Sequence, residues 1–294
     1  MKKIAIATLL AATTMVATAQ IRMTGKISEF VDNTQVGAVS KTTLATDPTS
    51  NITISASENL GGGMKASVVL DTSLAANDPI GGSATKLGDR QSTIGLANGV
   101  GSIDLGRNLH SHFLAITNND AFGTLYGSIA GDVHNLRGLR VSNGTFFALK
   151  PIAGVTATYD RTNNGVGTEA TSYSASAKLF GINAVVAQYT QGTEKSTVYG
   201  GSAKLGNTQV FYTHSDDKGV GAHKGDLIGA SQAFGPVTAK ASYGKTNTNV
   251  KAYALGADYS FSKRTIAGIN YRNVDANGTT NDVKQVGVGV THRF

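Results

Sequence analysis

The chain has 294 residues, with 26 Lys and Arg against 19 Asp and Glu, a formal net charge of +7 and no cysteine. Disulfides, thiolate metal sites and cysteine nucleophiles are thereby excluded, and the basic excess is spread out, not gathered into a block that would bind nucleic acid. Glycine is plentiful (36), proline scarce (4) and charge low (15%), while tyrosine, valine and isoleucine recur, so the composition is neither disordered nor that of an ordinary soluble domain.

Residues 1–19 begin with Lys2 and Lys3, continue through an apolar run from Ile4 to Val16 and end on Ala17-Thr18-Ala19. This is the pattern of a cleaved secretory signal peptide. It leaves one domain, 20–294, with a formal charge of 7 − 2 = +5. No other stretch approaches the ~18 to 20 apolar residues of a spanning helix.

From there, longer polar connectors alternate with tight ones. The longer set is 33–49, 74–89, 110–136, 162–168, 191–196, 215–224, 245–250 and 274–282; the tight set is 60–63, 98–101, 150–154, 180–181, 205–207, 234–236 and 262–263. Between them the residues alternate with a period of two. Tyr173, Ala175, Ala177 and Leu179 oppose Ser172, Ser174, Ser176 and Lys178; Val237, Ala239, Ala241 and Tyr243 oppose Thr238, Lys240 and Ser242. Segments 252–261 and 264–272 repeat the pattern, and the last strand sets Val286, Val288 and Val290 against Gln285, Gly287 and Gly289.

Fifteen connectors separate sixteen strands of roughly ten residues, the length of a tilted membrane-crossing strand. A soluble sandwich or solenoid would also alternate, but here strands end in tyrosine or phenylalanine, the other register carries lysine and serine, and no fixed long repeat occurs. The predicted fold is all-β: a 16-stranded antiparallel transmembrane β-barrel whose third loop folds inward.

The stretches "SASENLGGGMKASVVLD" (55–71), "DRQSTIGLANGVGSIDLGRN" (89–108), "NLRGLRVSNGTFFALKPIAG" (135–154), "YALGADYSFSKRT" (253–265) and the final "VGVTHRF" resemble the Gram-negative general-diffusion porins, especially the β-proteobacterial and neisserial branch. The resemblance covers the whole mature chain. It implies an outer-membrane location, a homotrimer in contact with lipid and lipopolysaccharide, and passage of small hydrophilic solutes without a cofactor. It also implies that the terminal Phe294 is read by the barrel-assembly machinery, and that segment 110–136 narrows the lumen.

Carried over by position, Lys26, Arg107 and Arg140 resemble the family's basic wall cluster, with Arg90 and Arg137 as further candidates. Asp120 and Asp132, the only acids of the third loop, would form the opposing pole. Two positions depart from the pattern: Asn51 and Phe146 stand where relatives carry basic residues. Arg107 also shares strand parity with Ile103 and Leu105, so a bulge at Gly106 is needed to turn it inward. Below the constriction, parity places Lys178, Lys204, Lys240, Arg272 and Arg293 inward, against Asp258 and Asp104. A mild preference for anions follows.

Other chemistry is poorly supported. His110, His112 and His134 lack a carboxylate at metal-ligand spacing; 275–282 lacks a calcium loop's ligand spacing; Gly61-Gly62-Gly63 opens no phosphate loop. No metal site and no catalysis are expected. A structural or adhesive barrel with an occluded lumen and an outer-membrane barrel enzyme remain the alternatives.

Overall fold

The structure is a computed structural model describing residues 20–75, 86–137, 139–162, 168–277 and 282–294; the signal-peptide reading of 1–19 and parts of the second, fourth and eighth long connectors lie outside the described residues. The strands are β1 (Gln20–Val36), β2 (Val39–Thr46), β3 (Asn51–Gly61), β4 (Met64–Ser73), β5 (Gln91–Ala97), β6 (Gly101–Asn108), β7 (Val141–Leu149), β8 (Val155–Thr162) and β9 (Ala170–Leu179). They continue with β10 (Ile182–Gln191), β11 (Glu194–Leu205), β12 (Thr208–Lys218), β13 (Lys224–Phe234), β14 (Val237–Thr246), β15 (Lys251–Ser260), β16 (Thr265–Asp275) and β17 (Val283–Arg293). Two short helices, α1 (Ser111–Thr117) and α2 (Ala130–Val133), lie between β6 and β7.

All pairings are antiparallel, and the seventeen strands make sixteen staves, because β2 and β3 occupy successive lengths of one. β2 pairs with Glu29–Val36 of β1 and β3 with Gln20–Lys26. Pairing of β1 with β17 closes the sheet. The terminal residue completes the seam: Gly25 N–H donates to the Phe294 carbonyl at 2.9 Å, and Phe294 N–H to the Gly25 carbonyl at 3.0 Å. The Phe294 ring covers the bare Gly25 backbone, where a Cβ would collide with it.

Each of the seven tight connectors is a turn between neighbouring strands. The longer set differs in places. Residues 33–49, expected as a loop, are mostly a hairpin turning between Val36 and Val39, and 191–196 shrinks to a turn between Gln191 and Glu194. Both segments are polar because their strands stand in water, where cross-strand bonds such as Asn33 Nδ2 to Thr42 Oγ1 (2.8 Å) suffice without an apolar face. The break between β2 and β3 is a turn in which Asp47 Oδ1 accepts from Thr49 N–H at 2.8 Å and Pro48 offers no donor to a ladder.

The exposed face carries the alternating apolar residues: Val286, Val288 and Val290 are exposed, as are Tyr173 and Leu179. The opposite face is polar and includes Ser172, Ser196, Thr213 and Ser215, all buried. They are buried because the segment between β6 and β7 packs over them. The apolar core is therefore not the centre of the barrel but a seam, in which Ile116, Phe122, Ile129 and Val133 of this segment meet Ala187, Val198, Leu227, Ala252 and Ala254 of the wall.

Glycines clear the track on which the segment lies. Val133 rests against Gly225 and Gly244, Phe122 against Gly256 and Tyr126 against Gly287, each too close to admit a Cβ. A methyl at Gly225 would strike the Val133 carbonyl, which is backbone and cannot swing aside. Gly225→Ala is expected to destabilise the seam by about 1–3 kcal/mol, the usual cost of overpacking, measured as a lowered thermal midpoint. A variant as stable as wild type would show that the segment does not depend on this floor.

Candidate functional site

The lumen face carries two kinds of basic residue. The first group gathers on β5–β7. Gly106 has φ +130°, a conformation reserved for glycine, and the β6–β7 register shifts between Gly106 and Asn108. This irregularity, which parity required, points Arg107 away from its lipid-facing neighbours: Nε–H donates to the Asp89 carbonyl at 2.5 Å and Nη1 to Ser142 Oγ at 2.9 Å. Arg90 pairs with Asp71 at 2.9 Å and donates to the Pro48 carbonyl at 2.6 Å. Arg140, just before β7, lies close enough that burial first, and then the charges of Arg90 and Arg107, hold its pKa below the ordinary guanidinium value, against Asp71 and Asp89. Asn51 donates to Asp71 at 2.6 Å and so supports Arg90's partner, while Phe146 is buried beside His110.

The second group lies around β1 and β14–β17. Lys26 pairs with Asp47 at 3.4 Å, Lys240 with Asp258 at 2.5 Å, and Arg272 with Asp132 at 3.3 Å. Lys178 and Lys204 are exposed, on the register predicted to face inward. Among the described residues no carboxylate forms an ion pair with Arg107, Arg140, Lys178, Lys204 or Arg293.

Three sequence assignments need correction. Asp120 is buried and folds the segment's own tip, accepting from Phe122 N–H (3.2 Å), Thr124 N–H (2.9 Å) and Ser128 Oγ (2.6 Å). Asp132 is engaged by Arg272, so neither acid presents a free carboxylate opposite the basic wall. Arg137 pairs with Glu194 and donates to the Val220 carbonyl, tying the segment's end to the far side, apart from the Arg90, Arg107 and Arg140 cluster. Asp120 is satisfied by its own turn, while Asp132 and Arg137 take partners far away in the chain, so only the folded register shows which charges remain.

The histidines act as anchors, a role the sequence reading missed. His112 Nε2 meets Ser196 Oγ at 2.8 Å; His134 meets Ser215 through Nδ1 and Thr213 through Nε2, both at 2.8 Å. His110 packs edge-on to Tyr189, 3.6 Å from Asp160. The available signal was the run of serines and threonines at inward positions facing them. No group of three metal-ligating side chains occurs among the described residues. The tip is held separately: Tyr126 O–H donates to Asp32, its N–H to Asp47 at 2.9 Å, and its ring stacks on Phe30 at 4.0 Å.

Burial pushes His112 down to about 4. Burial, with neighbouring His112, His223 and His214 against Asp226, pushes His134 down to about 3. In the unfolded chain each protonates near 6.5, so below that pH the unfolded state takes up protons that the folded state refuses. Stability is full above pH ~6.5 and falls on acidification towards those folded values, by up to about 1.4 kcal/mol per pH unit for each histidine. Thermal midpoints followed from pH 7 to 4 should drop less steeply for His112→Gln/His134→Gln than for wild type; equal slopes would refute the assignment. Separately, Gly106→Ala combines a forbidden φ with a collision against the Ser92 carbonyl. It is expected to cost about 1–3 kcal/mol in the same assay, and an unchanged midpoint would show that the bulge needs no glycine.

A model of the Gram-negative porin family matches residues 7–294. Among solved structures, an anion-selective porin from Comamonas acidovorans has a TM-score of 0.82 at 19% identity, covering 94% of this chain and 100% of that one. Salmonella typhi OmpF in complex with daunomycin gives 0.78 at 16% identity over 93% and 97%, and a triple mutant of Rhodopseudomonas blastica porin gives 0.71 at 16% over 94% and 100%. No curated protein matches. With a closed sixteen-stave barrel, an apolar outer face and a charged, polar interior, the chain belongs to the Gram-negative porin family and is an outer-membrane pore for passive diffusion.

Proposed function

We propose that this pore favours small hydrophilic anions, that segment 110–136 narrows it, and that Arg107 and Arg140 carry most of the selecting charge. The supporting observation is the pairing pattern. Lys26, Arg90, Arg137, Lys240 and Arg272 each have a carboxylate partner, so their fields are largely cancelled. Among the described residues Arg107 bonds a carbonyl and a hydroxyl and Arg140 has no acid partner; Lys178, Lys204 and Arg293 also lack one but stand outside the β5–β7 cluster. The Comamonas acidovorans structure with the same fold is titled anion-selective, which supports the same sign.

A homotrimer is supported from the outer face. Eight tyrosines, Tyr159, Tyr173, Tyr199, Tyr212, Tyr243, Tyr253, Tyr259 and Tyr271, stand on the outward register of β8–β16, as an interfacial girdle facing lipid and lipopolysaccharide would. The outward register of β1 and β3–β6 instead carries Ile27, Ile54, Val68, Ile94 and Leu105, with Glu29 bonded to Thr46 at 2.6 Å beside Ile27. An acid within an aliphatic face suits cover by protein. A Vibrio cholerae OmpT structure of the same fold is described as a trimer. Export through residues 1–19 and recognition of Phe294 by the assembly machinery complete this reading. The enzymatic alternative finds no support in the His112–Ser196 pair, since both side chains are sealed from solvent.

The reversal potential of the refolded protein in a planar bilayer under a KCl gradient tests the charge assignment. A unit charge about 8 Å from a passing ion is worth about 0.5 kcal/mol in water, a factor of about two to three in the permeability ratio. Arg107→Gln and Arg140→Gln should each lower the chloride preference by about that factor, less at high salt where screening shortens the field. A cation-selective wild type, or variants with unchanged potentials, would overturn it.

A further inference from the structure

On the outer face of β10–β15 lies a groove of about 900 Å³, almost wholly apolar, which shares Ala230, Ala241 and Leu255 with a second of about 570 Å³. Its shape comes from side-chain size on the outward register. Gly201 stands directly opposite Tyr212, and Ala230 opposite Ala241, so a shallow floor runs between walls at Tyr212 and Tyr243. Such a furrow offers an extended hydrocarbon chain contact on three sides, where a flat face offers one.

Just beyond the groove stands a pair of cations. Tyr243 and Tyr253 are directly opposite in the β14–β15 register, and one outward position further, on the long-connector side, Lys245 is directly opposite Lys251. Both lysines are exposed, and like charges so placed repel. The flanking acids are engaged elsewhere. Asp226, opposite Lys245, accepts from His214 Nδ1 and from Tyr212 O–H, each at 2.9 Å. Asp275, opposite Lys251, accepts from Asn277 N–H at 3.0 Å. Among the described residues neither lysine has a carboxylate at ion-pair distance.

We propose that this face holds one molecule of a phosphorylated, multiply acylated lipid of the lipid A class, its phosphate bridging Lys245 and Lys251 and its acyl chains lying in the groove below the tyrosines. A phosphate monoester carries a charge of about −1.5 to −2, which matches two lysines; the phosphodiester of an ordinary phospholipid carries a single charge. The proposal rests on the reading of β8–β16 as the lipid-facing side and adds to it a defined site and occupant.

The test titrates lipid A into the refolded full chain in detergent and follows bound lipid and oligomer by native mass spectrometry, with phosphatidylglycerol as the comparison. One lipid A per chain is expected at saturation, with phosphatidylglycerol about tenfold weaker. Lys245→Gln/Lys251→Gln should raise the half-saturating concentration about thirtyfold, the value of two lysines at a membrane surface. Ala241→Phe, which fills the floor, should raise it about tenfold. Arg107→Gln, in the lumen, should leave it within about twofold. Absence of saturation, equal binding of the two lipids, or a double lysine variant as tight as wild type would each overturn the proposal. Should the lysine variant fail to fold, Ala241→Phe and the lipid comparison decide. An intact oligomer that never saturates with lipid A would sink the site alone. Dissociation of the oligomer by Ala241→Phe would show that copies of the chain meet on this face, and would overturn the lipid-facing reading with it.

Discussion

Everything in this molecule depends on pairing every backbone N–H and C=O of a spanning sheet without help from water. A flat sheet would leave two open edges in lipid, each unpaired group costing several kcal/mol. The chain removes both edges by joining β1 to β17 in one continuous register, from Lys26 opposite Arg293 to Val36 opposite Val283, with Phe294 bonded to Gly25 beyond it. Once that seam is set, each inward or outward assignment follows from strand parity. A slip of one residue would turn Val286, Val288 and Val290 into the lumen and present lysines to lipid.

Closure creates an interior that cannot be filled by strand side chains alone, and the segment between β6 and β7 answers this. Its apolar residues make a core with the wall, where each fully buried side chain such as Ile116 or Ile129 contributes about 1.5–3 kcal/mol against the entropy of ordering a long loop. The glycines beneath it let backbone approach backbone, and neutral histidine–hydroxyl bonds tie down its shoulders without placing charge in the seam. The packed loop is held from both ends and at its tip. The remaining aperture is bounded by fixed walls, as a passive pore requires.

The electrostatics divide the same way. Half of the interior's named basic residues are balanced by acids from elsewhere in the chain, which preserves stability but cancels their reach into the channel. The other half have none among the described residues, and the proposed anion preference rests on these. Fixed charges with no counter-ion are costly to hold. They persist on the lumen wall because water fills the space beside them, whereas on the outer face the same residues would be excluded by lipid.

Much of this was legible in the linear chain. Period-two alternation, tight Gly-rich connectors and a terminal aromatic define strands, turns and the closing end, because each is a local consequence of pleat, turn geometry and seam. Even the Gly106 bulge could be inferred, since without it Arg107 shares the face of Leu105. What stayed hidden was partnership across distance. That Asp120 would turn back on Ser128, that Arg137 would find Glu194, or that His134 would bond Thr213 depends on which strands the folded loop crosses, and residues 33–49 read as loop because a strand in water needs no apolar face. The sequence by itself determined the barrel, because alternation and turns are local; only the tertiary structure decided which lumen charges are neutralised, because ion pairs are set by register between residues far apart in the chain.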